Sequence, residues 1–211
     1  MPVVAIVSQK GGSGKTTMAL HLATCAAYAK KASLVIDIDP QATASAWGDW
    51  RGDFLPEIVT SPPARLAKTI QNAEKKGSEF FVIDTPPHAD AAAREAIAAA
   101  DLVLIPTRPR AFDLHALHPI ADLVAHAKKP AFVVLNAVPT GATLLIADAE
   151  KAASDLGLKL CPVTFGDRAA FHRSSAKGEV ASEIEPGGKA AEEVGQLWKW
   201  VRKQLGIKAR G

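Results

Sequence analysis

Short runs of apolar, mostly β-branched residues recur along this chain, separated by longer stretches whose apolar positions follow a helical spacing. The runs are Val3–Val7, Leu34–Ile38, Phe80–Ile83, Leu102–Ile105, Ala131–Leu135 and Lys159–Val163. Between them lie the helical stretches Met18–Ala29, Ala64–Lys76, Leu114–Ala127 and Leu144–Leu156. Such alternation predicts βα units. Strands without a polar face suit a parallel sheet whose two sides are both covered. The expected fold is therefore α/β: a doubly wound, mostly parallel sheet with helices on both faces and ligands at the carboxyl ends of the strands. A closing helix is predicted over Lys189–Leu205, with Val194, Leu197, Trp198, Val201 and Leu205 on one face. Trp200 falls off that stripe, and neither core packing nor phosphate contact accounts for it.

Composition narrows the picture. With 211 residues, 48% hydrophobic and 22% charged, the chain is ordinary globular protein, which excludes a disordered or collagen-like molecule. Its length predicts a single domain over 1–211. The apolar run at Val3–Val7 is too short for a signal peptide or a membrane span, so a cytoplasmic location is expected. Cys25 and Cys161 match neither a disulfide framework nor a metal-ligand spacing and are read as buried thiols. His115 and His118 stand three apart on a predicted helix, a spacing that puts them on one face. The six histidines show no metal-like pairing.

Candidate chemistry concentrates in Gln9-Lys10-Gly11-Gly12-Ser13-Gly14-Lys15-Thr16-Thr17, directly after the first strand and before a helix. Glycines at Gly11, Gly12 and Gly14 let the backbone curl so that the N–H groups of this loop, through Ser13, Thr16 and Thr17, face phosphate oxygens. The helix N-terminus adds its dipole, and Lys15 can reach the β- and γ-phosphates. Thr16 is placed to ligate Mg²⁺. The usual pattern has glycine where Gln9 stands, so this is a variant loop with an additional lysine, Lys10. Asp37 and Asp39 lie two apart at a strand end, so both project toward the loop, and Asp84 ends another apolar strand.

These segments resemble the deviant Walker A family of P-loop ATPases, and within it the ParA partition ATPases, relatives of MinD. Lys10 to Thr17 carries the family's two-lysine loop, Leu34 to Gln41 its strand ending Asp-x-Asp-Pro-Gln, and Phe80 to Pro87 its strand ending in aspartate before prolines. The resemblance implies an ATPase using ATP and Mg²⁺. It makes Lys10 the signature lysine that reaches the partner's ATP across a nucleotide-sandwich homodimer, and Lys15 the lysine serving its own subunit. It assigns Asp39 to the attacking water, Asp37 to Mg²⁺ or its water shell, and Asp84 to the Walker B role of holding Mg²⁺ through water. Asn136 resembles the residue that contacts adenine. The loop from Ile105 to Leu114 fits the family in part, with Arg108 and Arg110 making it more basic than expected.

The resemblance is to the short members, which lack a helix-turn-helix extension, and so implies non-specific rather than operator DNA binding. Arg168, Arg173, Lys177, Lys199, Arg202 and Lys203 are the candidate DNA contacts, phosphate neutralisation being the physical basis of such binding. The implied partners are a second copy of the chain, non-specific DNA and an activating centromere-binding or adaptor protein. The implied location is the cytoplasm, on the nucleoid. A net charge of +3 is modest for constitutive DNA binding and suits a dimer that doubles a local patch when ATP binds. The alternative is a MinD-like, membrane-associated spatial regulator, to which the basic, tryptophan-bearing segment Leu197–Leu205 would lend itself.

Overall fold

The structure is a computed structural model and describes residues 1–88 and 90–208. Its centre is a seven-stranded sheet: β1 Val3–Ile6, β2 Ser33–Asp37, β3 Glu57–Thr60, β4 Phe80–Asp84, β5 Leu102–Thr107, β6 Ala131–Leu135 and β7 Lys159–Leu160. The spatial order is β3-β2-β4-β1-β5-β6-β7, and every strand pairing is parallel. The helices are α1 Lys15–Tyr28, α2 Thr43–Arg51, α3 Leu66–Lys75, α4 Asp90–Ala99, α5 Ala111–His115, α6 His118–Ala127, α7 Thr143–Asp155, α8 Ala169–Ser175, α9 Ala181–Ile184 and α10 Lys189–Gln204, with a 3₁₀ turn at Pro63–Arg65.

Alternation along each strand divides the core in two. Val4, Ile6, Val35, Phe80 and Val82 pack beneath α1 and α10, against Met18, Leu22, Leu197 and Val201. Val3, Ala5, Ile36, Phe81 and Ile83 face the other way, against Leu66, Ile97, Ile120 and Val124 of α3, α4 and α6. Both faces are covered by buried apolar side chains, as the apolar runs require, and the doubly wound architecture is as expected.

Three expectations are corrected in detail. The helix expected over Leu114–Ala127 is two helices, because Pro119 sits in the first turn of α6, where its missing N–H is harmless but would break a continuous helix. His115 therefore ends α5 and His118 begins α6, although their rings still lie 5.2 Å apart. The strand expected over Lys159–Val163 shortens to Lys159–Leu160, since Pro162 has no N–H for the ladder. Trp200 does have a packing role: its ring meets Phe132 edge-on at 4.8 Å, while Trp198 meets Phe80 in the same way at 5.1 Å.

Two helices that start beside the strand ends are tied to the C-terminal segment. His21 of α1 is 3% exposed; its Nδ1 lies 2.7 Å from the Thr17 carbonyl and its Nε2 accepts the Ala181 N–H at 3.0 Å. These two contacts assign the proton to Nδ1 and make the ring neutral. Arg51, the last residue of α2, donates to the Gly178 carbonyl at 2.8 Å and to both Glu183 oxygens at 2.9 and 2.7 Å.

Candidate nucleotide site

The carboxyl ends of β1, β2, β4, β5 and β6 meet at one edge of the sheet, where the strand order reverses around β1. The loop after β1 runs into α1, and Gly14 caps that helix with φ +99°. A side chain at position 14 is excluded twice, by that left-handed backbone and by Asn136, whose Nδ2 would lie 2.1 Å from an added Cβ. Lys15 is 7% exposed, and its Nζ donates to the Lys10 carbonyl at 3.1 Å. Burial holds its ammonium below the usual lysine range, opposed by the Asp84 and Asp39 carboxylates. The Ser13 hydroxyl is buried without a hydrogen-bond partner. Among the described residues the half-buried Lys10 ammonium meets no acid.

Three carboxylates approach this loop in different circumstances. Asp37 and Asp84 face each other in register on β2 and β4. Asp37 accepts from the Asp39 N–H at 3.0 Å and from the Ser45 N–H and hydroxyl at 3.1 and 3.3 Å. Asp39, half-buried, accepts from the Gln41 N–H at 2.9 Å, so its second oxygen is left for other work. Asp84 is fully buried, and among the described residues neither of its oxygens has a hydrogen-bond partner. Burial pushes its carboxyl up to about 7. The Thr16 hydroxyl, near but outside hydrogen-bond geometry, acts the other way, as does Lys15, while Asp37 and Asp39 add to the rise.

An orphaned buried carboxylate beside a threonine at the head of a helix that follows a glycine-rich loop fits a hard dication. Thr16 and Asp84 are the residues that would hold Mg²⁺. Asp37, expected in the same role, has both oxygens engaged in shaping the turn that carries Asp39 and the start of α2.

Sequence reasoning missed how the loop is held. Gln9 Nε2 donates to Asp90 at 2.5 Å, and the Gln9 carbonyl accepts the His88 N–H at 3.3 Å, linking the phosphate loop to the segment after β4. The departure from glycine at position 9 was the available signal. From the other side, Arg108 donates to the Gly12 carbonyl and Asn136 to the Ser13 carbonyl, the latter at 2.7 Å. A cleft of about 460 Å³ adjoins them, lined by Gly12, Gly14, Asn136, Arg168 and Phe171 among others.

The sequence profile of one protein family, described as the CobQ/CobB/MinD/ParA nucleotide binding domain, matches residues 4–180. The chain belongs to that family. Relatives agree with it. The chain is 40% identical over 117 residues to a "Maintenance of carboxysome distribution protein A" of Gloeobacter kilaueensis, covering 54% of this chain and 53% of the relative. It is 36% identical over 117 residues to a "Protein ParA" of Rhizobium radiobacter, covering 54% and 51%. These matches thus span about half the length of each relative. Against the carboxysome distribution protein A of Halothiobacillus neapolitanus, identity is 26% over 203 residues, covering 92% and 93%.

Solved structures place the fold in the same group. The MinC:MinD cell division protein complex of Aquifex aeolicus superposes with a TM-score of 0.79 at 16% identity, covering all of this chain and 98% of that one. MinD of Pyrococcus horikoshii complexed with Mg-ADP gives 0.78 at 20%, covering 100% and 99%. The fold class expected from the pattern of apolar runs is therefore that of MinD/ParA P-loop proteins, and the family resemblance read from the two-lysine loop holds.

The basic candidates of this family member are not equivalent. Arg173, Lys177, Lys199 and Lys203 are exposed. Arg168 is paired with Glu193 at 2.7 Å, and Arg202 lies half-buried, 5.9 Å from the centre of the Trp198 ring. None of the described helices is long and apolar enough to cross a membrane.

Proposed function

We propose that this chain is an ATPase that dimerises around two Mg·ATP, binds DNA non-specifically as the dimer, and positions or segregates a cargo. The observation that carries the reading is the pairing of two lysines on one loop with an unpartnered buried carboxylate behind it. Lys15 is buried at the site and can neutralise phosphate of its own subunit, whereas among the described residues the Lys10 ammonium is left without an acid. Phosphoryl transfer to water depends mainly on positioning and charge neutralisation, and a second lysine supplied across a dimer adds to both.

In this reading Gly11, Gly12, Ser13, Gly14, Thr16 and Thr17 hold the phosphates through the loop backbone, and Lys15 draws charge from them. Mg²⁺, when bound, neutralises the developing charge on the phosphate oxygens. Thr16 and Asp84 would hold it, Asp84 through water. Asp39 orients the attacking water through the oxygen that Gln41 leaves unused, and Asp37 fixes the turn that aims it. An activating partner protein stimulates turnover and returns the dimer to monomers.

The exposed residues Arg173, Lys177, Lys199 and Lys203 support the DNA reading, with Arg168 and Arg202 as further candidates. The engagement of Trp198 and Trp200 with Phe80 and Phe132 supports it against the membrane alternative, since both rings are already packed. The site of action is the nucleoid. Binding to random-sequence DNA with ATP and with ADP, across a salt series, tests the proposal. Binding with ATP alone that weakens steeply with salt is expected; equal binding in both nucleotide states would refute the ATP-gated dimer.

A further inference from the structure

Two consecutive carbonyls of the phosphate loop are each held by a side chain from a neighbouring strand end. Arg108, one residue past β5, donates through Nη2 to the Gly12 carbonyl. Asn136, one residue past β6, donates through Nδ2 to the Ser13 carbonyl at 2.7 Å. A trans peptide is planar, with its C=O and the following N–H pointing in opposite directions. Holding the Gly12 carbonyl outward therefore turns the Ser13 N–H the opposite way, and holding the Ser13 carbonyl turns the Gly14 N–H. Among the described residues neither N–H makes a well-formed hydrogen bond, the Ser13 N–H meeting the Lys10 carbonyl only in the loose turn at Gly11 and Gly12. Adjacent N–H groups freed in this way form an anion-binding nest.

The fit around Arg108 is close but does not come from an ion pair. An added Cβ at Gly12, whose φ is +68°, would lie 3.2 Å from Arg108 Nη2. Among the described residues the Arg108 guanidinium has no carboxylate partner. Its one hydrogen-bond acceptor there is the loop carbonyl.

We infer that Arg108 is a positioning residue for nucleotide: it acts through the Gly12–Ser13 peptide to preset the N–H that meets a phosphate shared by nucleoside diphosphates and triphosphates. Asn136 does the same for the next peptide, which gives its amide N–H a duty at the loop. The inference rests on the nucleotide-binding reading above. It separates Arg108 from Lys10 and Lys15, whose charges address the phosphates directly.

The test is titration of the whole chain with MgADP and MgATP, in wild type, Arg108→Ala and Arg108→Lys, alongside steady-state turnover. The alanine variant is expected to weaken ADP and ATP by a similar factor, about tenfold for one lost orienting bond. Turnover at saturating ATP is kept, the unfolding midpoint without nucleotide is unchanged, and lysine recovers part of the affinity. A loss confined to ATP, or a fall in turnover at saturation, would mean direct contact with the γ-phosphate and overturn the assignment. Unchanged affinities would overturn it too, with the nucleotide reading intact. Wild type that binds neither nucleotide would remove both.

Discussion

Asp37 and Asp84 stand side by side in register on β2 and β4, yet one accepts three hydrogen bonds and the other none. Equivalent places in adjacent parallel strands have thus been given different work. Asp37 builds the turn to α2, and Asp84 is left as a buried carboxylate that a cation would satisfy.

Asp84→Asn is therefore expected to separate stability from activity. Removing an unpaired buried charge stabilises the nucleotide-free protein by roughly 1–3 kcal/mol, while ATP turnover falls at least tenfold because a group that would hold Mg²⁺ is gone. Urea unfolding at pH 8 and a phosphate-release assay on the same preparation check both halves. A destabilised variant would contradict the orphaned-carboxylate description.

The two lysines are expected to fail differently. Lys15→Ala should lose nucleotide affinity altogether, since Lys15 is buried at the site. Lys10→Ala should retain measurable binding to one subunit and lose the ATP-dependent dimer. Light scattering with ATP distinguishes them, and a normal dimer from the Lys10 variant would remove its role across the interface.

Acid should loosen the tie between α1 and α9. Burial lowers the His21 pKa to about 4, the Thr17 carbonyl and Glu183 opposing and Arg51 assisting. Because the folded-state value lies below the unfolded one, the contribution is full above about pH 6.5 and is lost as pH falls toward 4. The loss over that window is up to about 3 kcal/mol. Urea unfolding at pH 7.5 and 4.5 should show a smaller drop for His21→Gln than for wild type; equal drops would take His21 out of the acid sensitivity.

Trp200→Ala should cost about 1–3 kcal/mol of stability, through the lost edge-on contact with Phe132. Vesicle binding should stay at its wild-type level in the variant. A variant that keeps its stability and loses membrane association would reverse the choice between the DNA and membrane readings.

Strong periodic signals were the legible ones. The apolar runs that became β1, β2, β4, β5 and β6 are buried on both faces, and burial on both faces leaves a continuous apolar run in sequence. By contrast β3, Glu57–Thr60, lies at the sheet's edge with exposed ends, and its β-branched run Ile58-Val59-Thr60, though it favours a strand, is too short to stand out from the loops around it. The helix α2 begins where Asp37 accepts from Ser45, a bond between residues eight apart that only the folded turn creates. Trp200 seemed unplaced because its partner, Phe132, lies 68 positions away on β6.

The loop Lys10 to Thr17, the strand-end aspartates and the doubly wound fold were determined by the sequence itself, because local backbone preference and strand periodicity are written in neighbouring residues. Which aspartate is satisfied and which is orphaned, and which side chains hold the loop carbonyls, was decided only in the tertiary structure. Those outcomes depend on register between strands and on hydrogen bonds such as Asn136 to Ser13, 123 residues apart. The physical reason is that a buried polar group takes its energy from whatever lies beside it in space.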